Sequence, residues 1–222
     1  MKHLRTSIIL AALLITAIAP GAFAKGNKNE ENPTAKKILI LGLKNNIKSD
    51  YYYNGLIAEE SGIPEDSLEL TFNRIIANNI ALSRIDFIPI QNNGKCGSVV
   101  NNIKVKGEQE DCISDLSEVD NQSFHDLLSN AGAEYVLILN RHFIKKQEQP
   151  FNTLFYIVSY SLYNKEKQEI SNGSSYFTAM HIESAEIMKK ASRKSSDKIA
   201  SIILKLVAQQ PAESPSLLLS KN

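Results

Sequence analysis

The side chains able to do chemistry are few. Cys96 and Cys112 are the two cysteines of the chain, and beyond the N-terminal segment the histidines are His125, His142 and His181. Two thiols without neighbouring histidines do not make a tetrahedral metal set, and their spacing is not the C-x-x-C of a redox pair. In an oxidising compartment they are expected to form a structural disulfide. It would close a loop of roughly 17 residues, worth about 3 kcal/mol in the chain-entropy picture. A cysteine nucleophile needs a base and a lowered pKa; Cys96 has only Lys95 beside it. His142 follows Arg141 at the outgoing end of a strand, where functional residues concentrate in α/β folds. His181 precedes Glu183 by two residues. A small hydrolase built on this chain would use Arg141, His142 and His181. No H-E-x-x-H, G-x-S-x-G, P-loop or G-x-G-x-x-G pattern is present. The expectation is therefore no catalytic set, no cofactor and no metal. Tyr51, Tyr52 and Tyr53 are consecutive, so they cannot all point inward. Tyrosine favours interaction surfaces because its ring buries area while its hydroxyl stays paired. Tyr51–Tyr53 with Arg141 and His142 form the candidate interaction surface, and core packing of two of the tyrosines is the competing reading.

The N-terminus indicates a compartment. Lys2 and Arg5 precede "SIILAALLITAIA", then Pro20 and Gly21, then "AFA" ending at Ala24. This is the n-region, h-region and cleavage site of a secretory signal. The apolar run is short of the ~20 residues of a membrane span, and no later stretch reads as one. No cysteine lies near the cleavage point, so lipoprotein processing is not expected. Loss of Met1–Ala24 removes two cations and turns a formal charge of +1 into about −1. That excludes the basic excess of a nucleic-acid binder. The remaining length, close to 200 residues, suits one domain.

Those residues need a scaffold, and the patterning supplies one. After a polar leader at 25–36, "KILILGL" is apolar at nearly every position, as in a strand covered on both faces. Residues 44–64 read as a long connection with at most a helical turn. Leu68, Phe72, Ile75, Ile76, Asn79 and Ile80 have the spacing of an amphipathic helix. "DFIPI" is a strand whose Pro89 consigns it to an edge or a bulge. Residues 91–121 form an irregular loop holding both cysteines. Ser123 is read as the N-cap of a helix that Gly132 stops, and Tyr135–Leu139 as a buried strand whose continuation "NRHFIKK" runs into solvent. Leu154, Tyr156, Val158, Tyr160 and Leu162 alternate onto one face of a hairpin. Its return strand carries Gly173 as a bulge, and a long helix ends before Pro211. The fold class is α/β with α+β character. It comprises a single mixed sheet of about five strands packed with about three helices, spanning 37–208, with a tail at 209–222.

The order of elements, with "KKILILGL", "AGAEYVLILNRHF" and "FYIVSYSLYNKEKQEI" at corresponding places, resembles small bacterial envelope domains. These occur at the N-terminus of the translocation protein TolB, in the curli secretion lipoprotein CsgG and in the penicillin-binding-protein activator LpoB. The likeness runs from about Lys37 to Val207, lacks the lipoprotein cysteine and lacks the curli channel's membrane hairpins. It implies a non-enzymatic, periplasmic or secreted protein that binds other envelope proteins.

Overall fold

The computed structural model describes residues 36–82, 84, 86–89 and 96–210. The expected signal peptide, nearly all of the leader and the end of the tail lie outside them. The core is a mixed sheet in the order β3-β1-β6-β7-β8, with β2 (Ile47–Ser49) also paired to β6. Strand β1 (Ile38–Gly42) lies parallel between β3 (Phe87–Pro89) and β6 (Tyr135–Gln147). Antiparallel β7 (Thr153–Asn164) and β8 (Glu169–Ala179) complete the meander that three consecutive strands imply. Pro89 does close an edge strand, as its missing N–H requires.

Helices cover the two faces unequally. On the inner face α1 (Asn54–Ser61), α2 (Leu68–Ala81), α5 (Ala185–Ala191) and α6 (Arg193–Gln209) bury the larger core, with Phe72, Ile76, Ile80, Leu137, Val158, Ile199 and Ile203 among its members. On the outer face α3 (Gly97–Asn102) and α4 (Asn121–Ala131) cover a smaller cluster around Leu39, Leu41, Phe124, Val136 and Ile138. Every side chain of β1 from Ile38 to Leu41 is therefore buried, which explains its unbroken apolar run. Among the described residues, no helix is long and apolar enough to cross a membrane.

Several expectations need correction. The connection at 44–64 contains β2 (Ile47–Ser49) and the eight-residue α1. The N-cap of α4 is Asp120, whose carboxylate accepts from Ser123 N at 2.7 Å; Gly132 ends the helix in the left-handed conformation as expected. The irregular cysteine loop contains α3 and a small hairpin of β4 (Lys104–Lys106) and β5 (Ile113–Asp115). The last helix is two helices meeting at Ser192. The register shift between β7 and β8 falls at Leu162/Tyr163, away from Gly173. Gly173 instead leaves room for the Tyr160 ring, whose hydroxyl would lie 3.0 Å from an added Cβ.

Candidate functional site

One irregularity in β6 decides where the predicted site residues go. The β6–β7 register slips between Leu139 and Arg141, so Asn140 is an extra residue in the ladder. A bulge of this kind changes which face the following side chains occupy. Before it, Tyr135, Leu137 and Leu139 belong to the inner core; after it, His142 and Ile144 face the same way. The strand expected to run into solvent stays buried through Ile144, apart from the half-buried Arg141.

The partner across β6 breaks at the same level. β1 pairs with Tyr135–Leu139 and β2 resumes at His142–Ile144, so residues 43–46 loop out between them. Side-chain amides stitch the gap. Asn46 Nδ2 donates to Leu139 O at 3.3 Å and to Asn73 Oδ1 at 3.0 Å, while Asn73 Nδ2 donates to Leu43 O at 2.9 Å. That bond orients the Asn73 amide, so its Oδ1 must accept from His142 Nε2, 2.8 Å away. Phe72 meets the imidazole edge-to-face at 5.7 Å. Burial lowers the His142 pKa to about 3, so the ring is neutral and structural at physiological pH.

This arrangement takes His142 out of both readings of the Arg141–His142 pair. His142 is 4% exposed and contributes no interaction surface. Arg141 lies on the outer face beside the Cys112 thiol. His181 is in an exposed loop with Nδ1 3.4 Å from Glu183 Oε1. The three side chains of the hydrolase reading occupy separate environments.

The bulge residue has its own task. Asn140 Nδ2 donates to Cys112 O at 2.7 Å and to Ser161 Oγ at 2.9 Å; Ser114 Oγ donates to its Oδ1. Ser114 N donates to Ser161 Oγ at 3.2 Å, and the Tyr163 hydroxyl donates to Ser114 O. The β4–β5 hairpin is thereby pinned on the outer face. The expected disulfide is not formed. Both cysteines are free thiols, with Cys112 Sγ bonded to Gln109 O at 3.3 Å and Cys96 packed against the outer core. Burial raises both thiol pKa values; Arg141 partly offsets this at Cys112.

Two surface features remain. A crevice of about 830 Å³ opens beyond the ends of β1 and β3, where α2 and α3 diverge onto opposite faces of the sheet. Gly42, Asn73, Arg74, Lys44, Glu69 and Cys96 are among its walls. Such switch points are where open α/β sheets bind small ligands. Sequence reasoning missed it because its walls come from four distant segments.

The other feature is an aromatic pole. The end of β6, the start of β7 and the end of β8 share one end of the sheet. Lys146 N donates to Asp50 Oδ1, which brings the tyrosine segment to the same end. Of the ten exposed large apolar residues described, five gather here: Tyr51, Tyr53, Phe151, Tyr176 and Met180, each between 59% and 77% exposed. Lys146 Nζ lies 3.7 Å from the Tyr51 ring centroid, a cation–π contact that holds the ring. Tyr52 turns inward onto the core, so the tyrosine run divides between both readings. Phe155 and Tyr176 pair at 5.6 Å on the outer face.

No family model and no curated protein sequence matches the chain. Solved structures to which it is similar include a PelC dodecamer from Paraburkholderia phytofirmans, at 9% identity and TM-score 0.38, covering 75% of this chain and 88% of that one. The hypothetical protein CT253 from Chlamydia trachomatis matches at 11% identity and TM-score 0.49, covering 79% and 99%. The LpoB C-terminal domain from Salmonella enterica matches at 13% and 0.27, covering 66% and 85%. All lie below a TM-score of 0.5, so function has to be read from this chain's own geometry.

Proposed function

We propose that this chain is exported to the bacterial envelope and acts there, without catalysis, as an accessory or assembly factor that binds another protein. The observation that carries the reading is the aromatic pole. Exposed apolar side chains scattered singly are ordinary, but a group of them at one end of a molecule marks an interaction surface. Tyr51, Tyr53, Phe151, Tyr176 and Met180 come from the β2–α1 connection, the β6–β7 turn and the end of β8. Tyr51 stands beside Asp50, Lys146 and Glu148, and exposed aromatics next to charged groups have the make-up of a protein interface, an apolar centre with a charged rim. The secretory pattern at Met1–Ala24 supports the compartment.

The test is site-specific photo-cross-linking in intact cells. A photoreactive residue at Tyr53 or at Phe151 is expected to capture the same envelope protein. Probes at Asp126 on α4, away from the pole, should not capture it. Capture no stronger at the pole than at Asp126 would exclude this surface. Retention of the uncleaved chain in the cytoplasm would exclude export.

A further inference from the structure

The two long edges of the sheet are treated differently. The β3 edge is three residues long and ends in Pro89, both of which blunt an edge against pairing. The β8 edge has neither protection. It is eleven residues long, contains no proline, and carries no charge from Ile170 to Ala179. Among the described residues no strand pairs with its outer side. About half of its backbone N–H and C=O groups therefore point away from β7, available to another strand.

We propose that this edge pairs with the β8 edge of a second copy of the chain, antiparallel about a two-fold axis at Ser174. Three observations favour a second copy. The first is charge: under this symmetry the regular part of the strand, Ser171–Ser175 with Tyr176 and Phe177, pairs with itself and carries no ionisable acid or base apart from the tyrosine hydroxyl, while Glu169 lies past the bulge at Ile170, at the end of the ladder, so no like charges meet. The second is facing. An axis at Ser174 sets even-numbered positions against even-numbered ones. The outward-facing Asn172, Ser174, Tyr176 and Thr178, all exposed, then continue as one face across the junction. The third is the neighbouring helix. Ser175 Oγ donates to Ser195 O at 3.3 Å, which seats the start of α6 over the middle of β8. Arg84 binds Asp197 Oδ1 and Ser201 Oγ, each at 3.0 Å, turning that side of α6 toward α2. At about 100° per residue, Ile202 stands on the side away from Arg84. It is 37% exposed there, as an apolar side chain for the second copy to cover. A two-fold contact of this sort is self-complementary and closes after two copies.

Sedimentation velocity over a concentration series of the exported chain tests the proposal, with S174K, S174E and an equimolar mixture of the two. Ser174 is exposed, so both variants should keep the wild-type circular dichroism and thermal midpoint. The wild type is expected to dimerise. Each variant alone, with like charges at the axis, should associate more weakly by about fivefold or more, and the mixture should recover the dimer. A wild type that stays monomeric, variants that associate like the wild type, or a mixture that fails to recover would each overturn it. Cross-linking at Phe151 is read separately, so loss of the dimer and loss of the pole's partner are distinguishable.

Discussion

Gly42→Ala is a small change at the centre of the stitched gap, and its cost can be worked from contacts. An added Cβ at Gly42 would overlap Asn73 Cγ and lie 2.5 Å from both Asn73 Cβ and Nδ2. A rotamer change can move Cγ and Nδ2, but Cβ is fixed to the backbone of α2 and stays in the way. Either α2 lifts from β1 or the Asn73 amide leaves Leu43 O and His142 Nε2. Overpacking of this kind costs about 1–3 kcal/mol, and an orphaned buried partner adds roughly 1–3 kcal/mol. A total of about 3 kcal/mol would lower the thermal midpoint by roughly 6–12 °C for a domain of this size. The chain has no tryptophan, so urea unfolding followed by far-UV circular dichroism is the suitable assay. A second substitution makes the reasoning sharper. Asn73→Ala keeps the Cβ that sits 2.5 Å away, so it should not relieve Gly42→Ala, and the double variant should be less stable than either single one. Wild-type stability in Gly42→Ala, or its rescue by Asn73→Ala, would refute the account of this contact.

Three further outcomes are expected. His142 has its pKa lowered to about 3 in the folded chain, against about 6.5 when unfolded. The unfolded state therefore binds the extra proton, and the stability present above pH 6.5 should be lost as pH falls toward 3, at up to about 1.4 kcal/mol per unit. Urea midpoints compared with those of His142→Phe should lose this component, and an unchanged slope would contradict it. Iodoacetamide applied without reductant should label Cys96 slowly in the folded chain and Cys112 only after unfolding; a denatured chain that takes no label would mean the thiols are paired. Asn140→Ala should strand Ser114, Ser161 and the Cys112 carbonyl, at about 2–4 kcal/mol. Limited proteolysis near Gly107–Asp111 should then accelerate, and protection equal to wild type would show that the hairpin is held otherwise.

Legibility from sequence followed the strength of the local pattern. α2 could be read because Leu68, Phe72, Ile75, Ile76 and Ile80 all pack inward, and β7 because Leu154, Tyr156, Val158, Tyr160 and Leu162 share one face; its other face, read as open, is buried as well from Tyr156 to Tyr163. α1 could not, since only Ile57 and Ser61 of its eight residues are buried and no stripe forms. The fate of His142 was hidden for a subtler reason. One bulge residue inverts the parity of everything after it, and Asn140 is justified by hydrogen bonds to Cys112, Ser114 and Ser161, 21 to 28 residues distant. Cysteine counting suggested a bridge where packing holds each thiol separately. Tyr51–Tyr53 stood out as residue types, but their company with Phe151 and Met180 exists only once β6, β7 and β8 bring their ends together.

Lys36 Nζ donates to Gln210 O at 2.9 Å and approaches Val207 O at 3.5 Å, joining the entry of β1 to the exit of α6. Entry and exit thus share the end of the sheet opposite Tyr51 and Phe151. An affinity handle or a flexible tether added at either side would hold the domain by its back. The aromatic end would point outward, free to be presented to an immobilised or tethered target.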